Sequence, residues 1–396
     1  MTDAATEHLV EEVRGPALTL VQAWSMIGMG VLALLSTGVI SALLGALVDE
    51  GRLTEAGVGY AATLEALAMA AAVGIASIAL KPERLRVLGI GATLVLVAAN
   101  LLTIGTSGEQ VYWIRTLAGL AEGVLLWFTS IMTVRTLTPA RWAALLFLAL
   151  SIVQVAVSAL LGAAVLPRVG GDGGYVLLAI ISLAGLAFAV LMPRALGSLP
   201  GMHGEARGAP PMRGWIALLA TLLYTGATAA VSVYLVPLAQ ASGLSVQSAR
   251  LALSVGLGAQ ILGSALAAWL ADRANYLLMF AITTAGYLLV WFYYTLPGAT
   301  TVPFVAITAG AGVVAMFVSP FLLPMLINAD PSRRAALQAP AAQLLSGGMG
   351  PFAAAAAVEH GGMTLMLQIS AALLLGGFVV MAALHRWRQP AVDAVS

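Results

Sequence analysis

The amino-acid sequence predicts an all-α membrane protein of 12 transmembrane helices in two pseudo-symmetric six-helix bundles. Three observations predict it. The 396 residues are 61% hydrophobic and only 9% charged, with a mean hydropathy of +0.98; a soluble domain carries about 25% charged residues. Long apolar runs recur along the chain with short connections between them. The two halves also match each other at a nearly constant offset.

A helix needs about 20 apolar residues to cross a hydrocarbon core of about 30 Å. Such segments fall at 18–48, 57–80, 86–106, 110–134, 141–167, 174–193, 214–240, 247–271, 276–296, 302–327, 334–358 and 363–386. The longest connection, 194–213, holds Gly, Pro, His203, Glu205, Arg207 and Arg213 and reads as a cytoplasmic linker. The expected organisation is a tail (1–17), an N-terminal bundle (18–193), the linker, a C-terminal bundle (214–388) and a second tail (389–396).

Basic residues set the orientation, because Lys and Arg concentrate in cytoplasmic loops. With the N-terminus inside, the cytoplasmic segments hold Arg14, Lys81, Arg84, Arg86, Arg135, Arg141, Arg194, Arg207, Arg213, Arg273, Arg333, Arg334, Arg386 and Arg388. The opposite side holds only Arg52, Arg168 and Arg250, and Arg115 lies within a span. Both tails are therefore expected in the cytoplasm, with the chain in the cell's inner (plasma) membrane. The first apolar run follows an acidic tail and is too long for a signal-peptide core, so no cleavable signal is expected.

Composition also excludes. A net charge of +1 implies no pull toward nucleic acid. The chain has no cysteine, which removes disulfides and thiolate metal sites. His8, His203, His360 and His385 fall in tails or connections, so no metal centre and no enzyme constellation lies at bilayer depth. No cofactor is expected, and no GxxxxGK[ST] loop points to ATP. The expected partners are a small-molecule substrate, protons and the lipid bilayer, with the chain acting as a monomer.

The repeat is local but consistent. Thr138-Pro139-Ala140-Arg141 follows the fourth span, and Asp330-Pro331-Ser332-Arg333 follows the tenth, 192 residues on. Leu53-Thr54 before the second span matches Leu244-Ser245 before the eighth, with hydroxyls placed to cap the helices. Parallel halves of this kind are the plan of one large transporter class. The fourth span reads Arg115-x-x-Ala118-Gly119-x-Ala121-Glu122-Gly123, and the connection after the eighth reads Ala268-x-x-x-Asp272-Arg273. On these motifs, over about residues 18–388, the chain resembles the major facilitator superfamily of secondary transporters. The resemblance implies alternating access, gating contacts by Asp272, Arg273, Arg141 and Arg333, and a central path lined by spans one, four, seven and ten. Two departures stand out. The loop Leu80–Arg86 lacks the family's usual aspartate. The fifth span lacks the glycine-proline run of the antiporters, and Gly347-Gly348-Met349-Gly350-Pro351 appears in the eleventh instead.

Charge inside the membrane costs roughly 2.5–3.5 kcal/mol per residue and is usually kept for function. Arg115 and Glu122 are seven residues apart, on one helix face and separated by about 10 Å of rise. Gly119 lies between them and leaves room for a ligand or a neighbouring helix. Glu65 sits in the second span. At an offset of 192 the counterparts of Glu65, Arg115 and Glu122 are Leu257, Ile307 and Val314, so the C-terminal half has no equivalent charge. Removal from water favours the neutral form of a carboxyl, which suits Glu122, and second Glu65, to proton coupling. Direct substrate contact and a purely structural ion pair are the alternatives. Arg115 is a candidate substrate contact or a structural and gating residue.

Candidate cavity residues in the first span are Gln22 and Ser25, on a face with Met29 and Ser36, and in the fourth span Trp127. In the seventh span Thr221, Thr225, Thr228 and Ser232 form a stripe flanked by Tyr224 and Tyr234. Phe317 adds an apolar wall, and Pro320 and Pro324 predict a bend in the tenth span. The bland alternative for the stripe is hydroxyls bonded to their own helix backbone. Glu50, Asp49, Glu109, Asp172 and Glu359 read as solvated loop charges. These features predict a secondary transporter of a small amphipathic organic solute, proton-coupled through Glu122. A multidrug/proton antiporter and a non-transporting assembly factor are the competing readings. The residues leave the sign of the substrate's charge open.

Overall fold

The computed structural model describes residues 18–136, 138–196, 208–271, 273–296 and 298–386. Among these there is no strand. Ten helices are long and apolar enough to cross a membrane, and contacts divide the chain into two units. The first is Met1–Leu137 with Leu145–Gly208; the second is Thr138–Ala144 with Ala209–Ser396.

In the first unit, helices α1 (Leu20–Asp49), α2 (Glu55–Ala79), α3 (Leu85–Leu102), α4 (Glu109–Thr133) and α5 (Pro139–Leu160) follow one another, the start of α5 up to Ala144 being counted with the second unit. A π-helical turn, Leu161–Val165, leads into α6 (Leu166–Ser182) and α7 (Ala184–Leu191). The start of α1 is fixed by Thr19 and Gln22, which bond each other's backbone in a capping box. Thr54 caps α2 by accepting from the Gly57 amide at 3.0 Å. From Pro139 to Leu191 the 53 residues form one nearly continuous helical stretch. At 1.5 Å per residue that is about 80 Å, far more than one membrane crossing. It breaks at Gly170, whose φ of 63° and ψ of −163° suit glycine alone.

In the second unit, α8 (Met212–Val233) and α9 (Leu235–Ala241) divide the expected seventh span at Tyr234. They are followed by α10 (Val246–Leu270), capped by Ser245, and α11 (Tyr276–Tyr294), capped by Asn275. Next, α12 (Thr301–Val318) and α13 (Leu322–Ala329) are joined by a 3-10 turn, Ser319–Phe321, at the expected bend of Pro320. Asp330 stops this rod. Its carboxylate accepts from the Ser332 amide and hydroxyl and from the Ala335 amide, starting the short helix α14 (Arg334–Leu337). The 48-residue helix α15 (Ala339–Arg386) is interrupted at Gly361 and Gly362, the latter at φ 70°. Twelve spans were expected; the described residues hold ten such helices, and two of them, Pro139–Leu191 and Ala339–Arg386, run through a glycine break.

Packing repeats between the units. In the first, α2 and α4 pack most extensively; in the second, α10 and α12 pack to the same extent, behind only α8 with α15. Glycine makes both contacts possible. A Cβ on Gly119 would strike the Glu65 carbonyl, and one on Gly123 would strike that of Met69. In the second unit Gly312 meets the Gly256 carbonyl and Gly263 that of Val313. In lipid, where apolar burial gives helices no reason to associate, such close backbone approach is a main source of affinity. Polar ties add to it. Gln154 of α5 donates to the Leu34 carbonyl of α1 at 2.9 Å, and Thr225 of α8 bonds Ser346 of α15 at 2.7 Å. Against α1, a core of Leu35, Val39, Leu43 and Leu47 packs with Val111, Val157, Tyr175 and Leu178.

Candidate functional site

Three of the helices packed in the first unit bring a charged cluster together. Glycine 119 lets the α2 backbone sit against α4 at Glu65. One turn earlier on the same α4 face is Arg115, so the Glu65 side chain rises directly to it. Arg115 donates from Nε to Glu65 Oε2 at 2.8 Å and from Nη2 to Oε1 at 2.6 Å. The pair is bidentate, the strongest common arrangement for these groups. The third nitrogen, Nη1, donates to Asn100 Oδ1 at 2.9 Å, near the end of α3. Asn100 in turn donates to Ser182 of α6 at 3.4 Å, and the guanidinium lies 5.5 Å from the centre of the Tyr175 ring. Arg115 is wholly buried and Glu65 is 4% exposed.

Glu122 lies seven residues farther along α4 and is 2% exposed. Its neighbours are the Ser36 hydroxyl of α1 and the Glu65 carboxyl, with Arg115 close enough to act electrostatically. Its Oε2 is buried without a hydrogen-bond partner. The Tyr175 hydroxyl is likewise buried and unpartnered. The space beside Gly119, open in sequence to a ligand or a helix, is taken by the α2 backbone. Arg115 pairs with Glu65 rather than with Glu122 because α2 is nearer than seven residues of its own helix.

The other candidates are divided between the two units. Gln22 caps α1, and the Ser25 hydroxyl donates to Val21 O at 2.6 Å. Trp127 is buried beside Phe128, their rings 5.4 Å apart. In the second unit Tyr224 is buried, bonded to Thr283 and Thr284 and set edge-on to Phe280. The stripe on α8 takes its bland form. Thr221 donates to Ala217 O, Thr225 to Thr221 O, Thr228 to Thr225 O and Ser232 to Ala229 O. Phe317 packs on Phe321 at 5.5 Å. Arg273 lies over Trp269, Arg141 is exposed, and Arg333 adopts a left-handed backbone at φ 62°. Asp272 lies outside the described residues, as do both tails and most of the linker.

Glu50 and Asp172, read from the sequence as solvated loop charges, keep solvent contact and are also ion-paired. Arg52 donates to Asp172 at 2.5 Å and to Glu50 at 3.0 Å, and also to the Thr103 and Thr106 carbonyls, both at 2.8 Å. The Gly171 amide donates to Glu50 and the Gly105 amide to Asp172. The arginine thereby ties together three connections of the first unit. Sequence reading also missed Asn100, Tyr175 and Ser182. An asparagine within an apolar run was the available signal, since a polar side chain at that depth needs a partner on another helix.

The glycine contacts also refine the internal repeat. Gly312 plays the part of Gly119, so the residue one turn earlier, Thr308, stands where Arg115 does. Gly256 stands where Glu65 does. A uniform offset of 192 names Ile307 and Leu257 and is one residue off at both. Where the first unit has Arg115 bonded to Asn100, the second has Thr308 bonded to Tyr294 at 3.0 Å. Among the described residues, the positions of the second unit that match Glu65 and Arg115 carry no charge.

No protein-family profile and no curated protein sequence matches the chain. Solved structures do. The chain is similar to a major facilitator superfamily transporter, FucP, captured in its outward conformation. The TM-score is 0.71 at 15% identity, covering 94% of this chain and 99% of that one. It is equally similar to a variant of the E. coli fucose:proton symporter FucP, with a TM-score of 0.72, 14% identity and the same coverage. Identity this low speaks to architecture: the chain has the multi-pass membrane fold of the major facilitator superfamily transporters.

Proposed function

We propose that the chain is a secondary active transporter that moves a small amphipathic organic solute by alternating access, with transport coupled to protons through Glu122. In this reading the stretches Pro139–Leu191 and Ala339–Arg386 each cross the membrane twice, turning at Gly170 and at Gly361–Gly362. That gives twelve spans, with bundles at 18–193 and 214–388, a cytoplasmic linker at 194–213 and both tails in the cytoplasm of an inner-membrane monomer. It is a transporter and not an enzyme.

One observation carries the coupling: two buried carboxyls lie near a single guanidinium that pairs with Glu65 alone, and one carboxyl oxygen, Glu122 Oε2, has no partner. An uncompensated buried charge costs several kcal/mol, so the cluster is best balanced with one proton on it. That proton is what a symporter or antiporter trades against its substrate. The fucose:proton symporter among the structural neighbours is consistent with this reading.

The test begins with a thermal-shift screen of metabolites and drugs at two pH values, since binding to the folded state raises stability in a concentration-dependent way. A stabilising compound is then followed in proteoliposomes. Glu122→Gln is expected to abolish accumulation driven by a pH gradient while leaving exchange of solute across the membrane. A variant that accumulates solute as well as the parent removes Glu122 from the coupling.

A further inference from the structure

The two buried glutamates of the first unit are not equivalent. Glu65 gives both oxygens to Arg115, Asn100 takes the third nitrogen, and Tyr175 covers one face of the guanidinium. Arg115 is therefore held on three sides by α2, α3 and α6. Glu122 sits on the same face of the same helix as Arg115 and keeps one oxygen unpartnered. Guanidinium and Glu122 carboxyl already act on each other. Released from Glu65, the long arginine side chain would have a second carboxylate within reach, and arginine pairs bidentately wherever geometry allows.

We propose that Glu65 is the positioning residue of this cluster: by clamping Arg115 it keeps the guanidinium from pairing with Glu122, so that Glu122 alone takes up and gives up the proton. The inference rests on the proton-coupled reading above and divides the labour between two glutamates that the sequence could only rank. Few ionisable groups complicate the assignment. Among the described residues, Glu122 faces Glu65 of α2, Arg115 of its own helix and the Ser36 hydroxyl of α1. The Tyr175 phenol of α6 and the neutral Asn100 of α3 face Arg115.

A hydrophobic carbodiimide separates the two carboxyls without any substrate. The proton of a neutral carboxyl passes to a carbodiimide nitrogen while its oxygen bonds the central carbon as an O-acylisourea. Migration of the acyl group to nitrogen leaves a stable N-acylurea, a net addition with no leaving group. Dicyclohexylcarbodiimide is added to the purified full-length chain in detergent near neutral pH, and adducts are mapped by peptide mass spectrometry. The expected result is an adduct on Glu122 and none on Glu65. An adduct on Glu65, or none on Glu122, overturns the proposal.

Glu65→Gln is expected to lower the Glu122 adduct several-fold at fixed pH, because a freed Arg115 pairing with Glu122 favours the ionised, unreactive carboxylate. Glu65→Asp is expected to restore it. An unchanged yield in Glu65→Gln overturns the positioning role. If Glu65→Gln does not give a monodisperse protein, Arg115→Met decides the matter. With the cation gone, Glu65 is expected to join Glu122 in reacting, and a Glu65 that stays unlabelled refutes the clamp. Because labelling needs no solute, a chain that labels as expected but transports nothing sinks the transport reading separately.

Discussion

Replacing Gly119 with alanine is the sharpest stability test of the architecture. The new Cβ would overlap the Glu65 carbonyl oxygen and lie 2.9 Å from the carbonyl carbon and 3.1 Å from Cα. All three atoms are backbone, so no rotamer change relieves the clash. Ordinary carbon contacts lie at about 3.5–4.0 Å, so α2 must retreat from α4 by about an ångström. Overpacking of this kind costs about 1–3 kcal/mol. The retreat also stretches the Arg115–Glu65 bonds, now at 2.8 and 2.6 Å. Breaking a buried pair outright costs about 3–5 kcal/mol. Against this, alanine gains roughly 0.8–1.0 kcal/mol of helix propensity over glycine. The balance is a loss of about 2–4 kcal/mol, or a fall in melting temperature of roughly 5–15 °C at about 2–4 °C per kcal/mol. Gly91 is the control, because a Cβ there meets nothing within 4 Å. Gly91→Ala should melt at or slightly above the parent temperature. The assay is intrinsic tryptophan fluorescence during heating in detergent. If Gly119→Ala melts like Gly91→Ala, the close α2–α4 contact is wrong, and the placement of Glu65 beside Arg115 falls with it.

Two further predictions follow from the polar ties. Asn100→Leu removes the acceptor of Arg115 Nη1 and leaves a buried charged donor unpaired, at a cost of about 1–3 kcal/mol; the same melting assay should show the loss, and an unshifted melt removes Asn100 from the cluster. Arg52→Ala unties the Thr103, Thr106, Glu50 and Asp172 contacts at the loop end of the first unit. Hydrogen exchange is expected to quicken at the Gly105 and Gly171 amides, with the rest of the unit unchanged; equal protection in parent and variant would refute the tie.

Much of this fold was readable because the membrane simplifies the code. Backbone groups in lipid must bond within their own helix, so a long apolar run has little choice but to be a helix. Cap positions were readable for the same local reason: Thr54 and Ser245 precede apolar runs and both accept the expected amide. Interruptions were harder. Gly170 and Gly362 are two among 42 glycines, and only the backbone angles reveal that these two break a helix while Gly119 and Gly123 knit one to its neighbour. The site was half legible. An arginine and two glutamates in apolar runs announce themselves by cost. Which carboxylate takes the arginine is settled by a neighbouring helix, through a contact of 50 residues' separation that periodicity cannot see. Asn100, Tyr175 and Ser182 carry no charge and were lost among ordinary span residues. The α8 stripe is ambiguous in the other direction, since hydroxyls spaced on one face look like a binding surface and also donate to their own backbone.

The asymmetry between the units is the strongest argument for placing the proposed proton coupling in the first of them, and it can be tested from the uncharged side. Thr308 and Tyr294 occupy in the second unit the places that Arg115 and Asn100 hold in the first. Their hydroxyls bond at 3.0 Å within a buried setting. This bond needs no counter-ion and no proton to be neutral, so the second unit keeps the polar tie without the charge. Tyr294→Phe deletes one hydroxyl and leaves Thr308 able to bond its own helix. The cost should be about 1 kcal/mol, visible as a small fall in melting temperature. The yield of carbodiimide adduct on Glu122, and its dependence on pH, should not move. If Tyr294→Phe changes the Glu122 reaction as strongly as Glu65→Gln does, proton handling is not confined to the first unit, and the division of roles between the halves fails.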